Sequence, residues 1–136
     1  MRQTLLALFF ILMTAPLSAQ KRKELKENEV SSKVEWQYTY TNGIEKKYKE
    51  SEYKYDRNGN TLMEKVYDEQ GNVIKHFEYE YDREGNAIVE ITYNPKGKVV
   101  KREEFKYSRG LKAEKKVFGP DGQLQSRKVY EYKTFE

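Results

Sequence analysis

The segment Glu52-Tyr-Lys-Tyr-Asp-Arg-Asn-Gly-Asn60 returns as Glu78-Tyr-Glu-Tyr-Asp-Arg-Glu-Gly-Asn86. This recurrence constrains the fold more than any other feature, because a fixed internal period means one structural unit stacked on copies of itself. A third, worn copy is Glu104-Phe-Lys-Tyr-Ser-Arg-Gly110, and a fourth begins at Val129-Tyr-Glu-Tyr132. The anchor aromatics Tyr53, Tyr79, Phe105 and Tyr130 are therefore 26, 26 and 25 residues apart. A second turn divides each unit: Asp68-Glu-Gln-Gly71, Asn94-Pro-Lys-Gly97 and Gly119-Pro-Asp-Gly122. Each unit is two strands and two turns.

The turn chemistry can be read residue by residue. Asp56, Asp68, Asp82 and Asn94 open the turns, and Gly59, Gly71, Gly85, Gly97 and Gly122 close them. Asp or Asn first and Gly fourth describe a type I turn followed by a left-handed glycine and a bulge. Pro95 and Pro120 have φ already set for the second position. With Asp82 paired to Asn86, Tyr81 is expected to meet Ala87, Tyr79 to meet Val89, and Phe77 to meet Ile91. In the next hairpin Tyr93 meets Val99, and Ala87 comes opposite Phe105. That register puts the apolar residues on one inner face and leaves His76, Glu78, Glu80, Glu90, Arg102, Glu104 and Lys106 on a wet one. Beyond Gly110 the parity slips, bringing Lys112, Glu114 and Lys116 beside Phe118.

The predicted fold is all-β: an antiparallel hairpin-repeat meander of about nine strands over residues 34–136. A tyrosine-rich face must be covered or exposed. The favoured outcome is a single sheet curled into a closed or half-closed barrel, since bulged turns and strand twist both promote curling. Burial in a homodimer and an open sheet kept soluble by its charges are the alternatives. The N-terminal side differs. Met1 and Arg2, the apolar run Leu5–Met13 and the small-residue exit ending at Ala19 predict a cleaved signal peptide over residues 1–19. The apolar run is too short for a membrane span. The protein is thus expected to be periplasmic or extracellular. Residues 20–33 are charged, with no apolar face, and are expected to be a flexible lead-in. Trp36, Tyr38 and Tyr40 before Asn42-Gly43 predict a further hairpin, whose return strand, Ile44 to Tyr55, is long, polar and kinked.

Little in the chain suggests catalysis. It has no cysteine and one histidine, and His76 falls on the charged side of a strand with Glu78 as its only near carboxylate. Ser and Thr residues lack a nucleophile context. No enzyme activity and no cofactor are expected. Asp56/Asn58/Asn60 and their counterparts at 68–72 and 82–86 have the alternating oxygen spacing of calcium loops, but glycine falls fourth rather than sixth, and the turn already accounts for them. The net charge of +4 is made of interleaved signs without a basic stripe, which disfavours nucleic acid. Exposed aromatic platforms are expected at Trp36, near the rim, and at Tyr48, which falls off the inner parity; the partner would be a protein or a cell-envelope glycan.

The string Tyr-x-Tyr-Asp-x-x-Gly-Asn at Tyr53–Asn60 and Tyr79–Asn86 resembles the YD repeat of the RHS proteins, over about residues 52–132. In large members such repeats are strand pairs that spiral into a hollow shell around a toxic segment, and some are linked to carbohydrate binding. The resemblance implies strand-pair architecture here, with too few repeats to enclose anything. A looser likeness is to MORN-type hairpin repeats, including small antitoxin-like proteins. The function expected is a non-enzymatic secreted module for binding or scaffolding at the bacterial cell envelope. The alternative is a small immunity factor that caps a secreted toxin.

Overall fold

A computed structural model describes residues 17–136. Helix α1 (Leu17–Glu27) precedes eight strands: β1 (Ser32–Thr41), β2 (Ile44–Tyr55), β3 (Thr61–Tyr67), β4 (Val73–Tyr81), β5 (Ala87–Tyr93), β6 (Val99–Ser108), β7 (Leu111–Phe118) and β8 (Leu124–Val129). The strands form one antiparallel sheet in sequential order, from β1 at one edge to β8 at the other. The leader reading lies outside the described residues except for its last three, Leu17–Ala19, which open α1.

The turns form as their residues dictate. At the β4–β5 turn Gly85 N donates to Asp82 O at 3.2 Å and Asp82 N to Asn86 O at 3.0 Å. Asp82 Oδ1 accepts from Asn86 N and its Oδ2 from Asn86 Nδ2, both at 2.9 Å. The same pair of backbone bonds recurs at 56–60, 68–72, 94–98 and 119–123. The β1–β2 and β6–β7 connections are tighter, with Asn42-Gly43 at φ 50° and 76° and Arg109-Gly110 at 53° and 75°. Those values are the two-residue type I′ turn, whose twist matches that of the flanking strands.

Register is where expectation and structure part. Tyr81 does meet Ala87, and Tyr93 meets Val99. The next residue of the outgoing strand is then extra. Ile88 is skipped, so Glu80 faces Val89, Tyr79 faces Glu90, Glu78 faces Ile91 and Phe77 faces Thr92. Equivalent shifts follow the turns before β3, β4, β6 and β8. Ala87 accordingly does not come opposite Phe105. Because side chains alternate with period 2, a one-residue slip sends the rest of the outgoing strand to the other face.

Both faces are therefore mixed. Even-numbered strands put their aromatics on one side: Tyr53 and Tyr55, then Phe77, Tyr79 and Tyr81, then Phe105 and Tyr107. Odd-numbered strands put theirs on the other: Trp36, Tyr38 and Tyr40, then Tyr67, then Tyr93 with the aliphatic Val89 and Ile91 beside it, then Phe118. These are called below the tyrosine face and the tryptophan face. The expected all-charged wet side does not exist. His76 stacks on Tyr93 with ring centroids 4.3 Å apart, and its Nε2 lies 3.3 Å from Glu78 Oε1.

The mixing also explains why the sheet is open rather than curled into a barrel. With apolar groups divided between two faces, neither has enough to reward closure on itself. Among the described residues only Tyr55, Met63 and Val89 are buried hydrophobic residues, and no large side chain is fully buried. The count is eight strands rather than nine because the fourth repeat copy stops pairing regularly at Val129. Its Tyr130 N still donates to Ala113 O at 3.0 Å.

Two further differences concern single segments. β2 is long and carries an irregularity opposite Glu35/Trp36, where Glu50 is the extra residue. The charged segment 20–33 has regular structure along most of its length. It holds most of α1 and the start of β1. Ala, Gln, Lys, Glu and Leu are strong helix formers, and Lys26 in the last turn suits the helix dipole. The helix ends in a Schellman motif: Glu29 N donates to Lys26 O and Val30 N to Leu25 O, at 3.1 and 3.0 Å. Glu29 takes the left-handed position at φ 51°, usually a glycine's.

Candidate functional site

Positions i, i+2 and i+4 of a strand share a face, so Trp36, Tyr38 and Tyr40 stand in a row along edge strand β1. They are 52%, 43% and 69% exposed, which leaves a band of aromatic surface in water. Val34 continues the row toward the N-terminus and is also exposed. Successive rings are about 7 Å apart by strand geometry.

The second strand supplies cations to this row. Lys47 faces Tyr38 across the β1–β2 ladder, and its Nζ lies 4.5 Å from the Trp36 ring centroid and 5.4 Å from that of Tyr38. Lys49 faces Trp36 but turns away, placing Nζ 4.5 Å from the Tyr67 ring and 2.9 Å from Glu52 Oε2. Exposed contacts of this kind contribute roughly 0.5–1 kcal/mol each. At the far end Tyr40 Oη donates to Glu45 Oε1 at 2.7 Å, and that bond raises the phenol's pKa. The row is thus an aromatic surface edged by the Lys47 ammonium, with a carboxylate, that of Glu45, at its tip.

Tyr48 does not belong to it. It pairs with Gln37, so its ring lies on the tyrosine face, half-buried. There it borders a shallow depression of about 270 Å³ with Thr39, Lys46, Lys47, Glu69 and Gln70. The structure therefore separates the two expected platform residues onto opposite faces. It joins to Trp36 instead Tyr38 and Tyr40, which the sequence marks only as part of a further hairpin. That the three share a face follows from their period-2 spacing; that they stand in water follows from the place of β1 at the edge of the sheet.

The aspartates with calcium-loop spacing have their carboxylate oxygens committed within the turn, to backbone N–H groups and to the Asn side-chain amide. Asp56 Oδ1 accepts from Asn58 N and Asn60 N at 2.8 and 2.9 Å, and Oδ2 accepts from Asn60 Nδ2 at 2.9 Å. Asp68 repeats this set with Gln70 and Asn72. These bonds hold the Asp68 and Asp82 carboxyls below their ordinary pKa, the Asn72 and Asn86 side-chain amides contributing most.

Buried ionic groups lie elsewhere on the sheet. Glu103, on the tyrosine face, binds Lys101 Nζ at 3.0 Å and also Lys115. Burial pushes its pKa up, but the two lysines together pull it below the ordinary carboxylate value. Glu114 occupies the place that Met63 and Val89 hold in the earlier repeats. It is held by Arg127 Nη2 at 2.5 Å, which keeps it ionised. Glu114 and Lys116 share the face of Phe118, as expected, whereas Lys112 lies on the other side with Nζ 4.5 Å from the Phe105 ring. No helix among the described residues is long and apolar enough to cross a membrane. Comparison with protein-family models gives no match, and neither does comparison with curated proteins.

Proposed function

We propose that the protein is a non-enzymatic binding module, exported by its N-terminal leader to the periplasm or beyond, with Trp36, Tyr38 and Tyr40 as its ligand surface. The observation that carries the reading is the exposure of three consecutive same-face aromatics on an edge strand. A chain that keeps such rings in water forgoes the stabilisation their burial would give. Aligned, regularly spaced rings suit a partner with repeated flat apolar faces, and polysaccharide presents these as the faces of successive sugar rings. Lys47 adds a donor beside the stack. The partner is accordingly an envelope glycan. The YD-like repeat then acts as the scaffold that holds the row flat.

The test is co-sedimentation of the purified protein with isolated cell-wall and surface polysaccharide at low and high salt. Retention at high salt is the expected result, because stacking is insensitive to screening while charge attraction is not. Trp36→Ala should weaken retention on the order of tenfold, and Tyr48→Ala, on the opposite face, should leave it unchanged. Loss of binding at high salt would reduce the interaction to nonspecific charge. No binding at either salt would sink the glycan reading and leave a protein partner.

A further inference from the structure

We infer that the free edge of β1 pairs with the β1 edge of a second copy, antiparallel and about a two-fold axis, to extend one sheet across two molecules. This inference does not depend on the ligand of the aromatic row.

An eight-stranded open sheet has two edges, here β1 and β8. Among the described residues each presents a line of backbone N–H and C=O groups without ladder partners, and natural edges of this kind are shielded by charge, proline, bulges or a covering element. The two edges differ sharply in that respect. β8 is short, and carries Arg127 and Lys128 side by side. Self-pairing there would bring basic side chains of two copies together. β1 has ten residues, and from Trp36 through Thr41 it reads Trp-Gln-Tyr-Thr-Tyr-Thr, with no charge and no proline. High β-propensity without charge is the composition that favours strand addition. The one irregularity of this hairpin has its extra residue, Glu50, on β2 rather than on the edge. Helix α1 covers neither end of the uncharged segment. It lies beside the Asp56–Asn60 turn, where Arg22 Nη1 donates to Asn60 Oδ1 at 3.3 Å.

Registers centred on Gln37 or on Tyr38 both satisfy the pairing. The first sets Trp36 against the second copy's Tyr38 and Val34 against its Tyr40. The second sets Tyr38 against its own counterpart and Trp36 against Tyr40. Neither places like charges opposite one another, and aromatic cross-strand pairs are favourable. A two-fold axis normal to the sheet keeps equivalent faces on the same side. The two aromatic rows would therefore lie next to each other on one continuous face.

Sedimentation equilibrium on the purified protein over a wide concentration range tests this. The expected result is a monomer–dimer equilibrium that goes no further. Gln37 sits on the tyrosine face, away from the row, so its substitution leaves the rings in place. The two copies' residues 37 are directly opposite in the register centred on Gln37 and diagonal neighbours in that centred on Tyr38, within reach of long side chains in both. Gln37→Lys and Gln37→Glu should therefore each weaken the dimer, by on the order of tenfold in the first register, and mixing the two variants should restore it. Hydrogen exchange of the wild type provides a second readout: amides of Trp36–Thr41 should gain protection as concentration rises. A monomer at every concentration, open-ended growth, variants that dimerise like the wild type, or concentration-independent exchange at these amides would each overturn the inference.

Discussion

The tyrosine hydroxyls show how one residue type carries different energies at equivalent places. Tyr81 Oη donates to Thr61 O at 2.8 Å, Tyr107 to Ala87 O at 3.0 Å and Tyr132 to Lys112 O at 2.7 Å, each reaching back 20 residues. Tyr55 is their counterpart in the first repeat. Its neighbour β1 is shifted by the irregularity at Glu35/Trp36, and its buried Oη has no partner among the described residues. Phenylalanine substitutions should separate the two cases. Tyr81→Phe and Tyr107→Phe should each cost about 0.5–1.5 kcal/mol for a lost bond, whereas Tyr55→Phe should be neutral or stabilising, since it removes a buried orphan. Urea denaturation midpoints of the three variants read this directly. The sequence shows four similar tyrosines. It does not show that the first lacks its carbonyl, because that depends on the strand beside it.

Among the elements, α1 is the part least legible in the chain and the one whose placement is most local. Its charged sequence has no apolar stripe, and its terminating residue is Glu29 rather than glycine, so the usual helix signals are missing. What fixes it is proximity to the first repeat turn. A Cβ at Gly59 would stand 2.3 Å from Arg22 O, and Lys21 Nζ lies 5.4 Å from the Tyr53 ring. Gly59 and Gly71 share the same turn conformation, at φ 77° and 86°, but a Cβ at Gly71 would meet nothing within 4 Å. Gly71→Ala should cost about 1–2 kcal/mol for left-handed backbone alone. Gly59→Ala should cost more, and should also release α1. Limited proteolysis at Lys21–Lys26 would report that release: equal cleavage in the two variants would mean that the helix is not docked on the turn. The turns themselves were legible residue by residue, because an Asx side chain and a glycine fix them within five residues.

For the whole molecule, stability should be bounded by pH on both sides. Glu103, Glu114, Glu35 and Glu52 all have pKa values below the ordinary carboxylate value. A depressed acid in the folded state stabilises above the unfolded pKa of about 4.3, and that contribution fades as pH falls through the folded value. Tyrosines set the alkaline limit. Burial raises Tyr79, with Glu90 and Glu64 adding to it, and burial pushes Tyr81 up to about 12. The unfolded chain then ionises first, so stability should fall from about pH 10 upward. Urea midpoints measured across pH should give a plateau between these limits, and Glu103→Gln should flatten the acid limb. A midpoint unchanged from neutral pH down to pH 3 would refute the acid half. Period, turn type, strand identity and antiparallel order were fixed by the sequence alone, because each depends on residues within one hairpin. Face and closure were not. A single skipped residue after most of the turns reverses the side on which every later side chain of that strand stands, and the summed reversals decide whether the aromatics gather into a core or divide between two faces. Only the assembled sheet, with Tyr79 against Glu90 and Trp36 in water beside Lys47, shows that they divide.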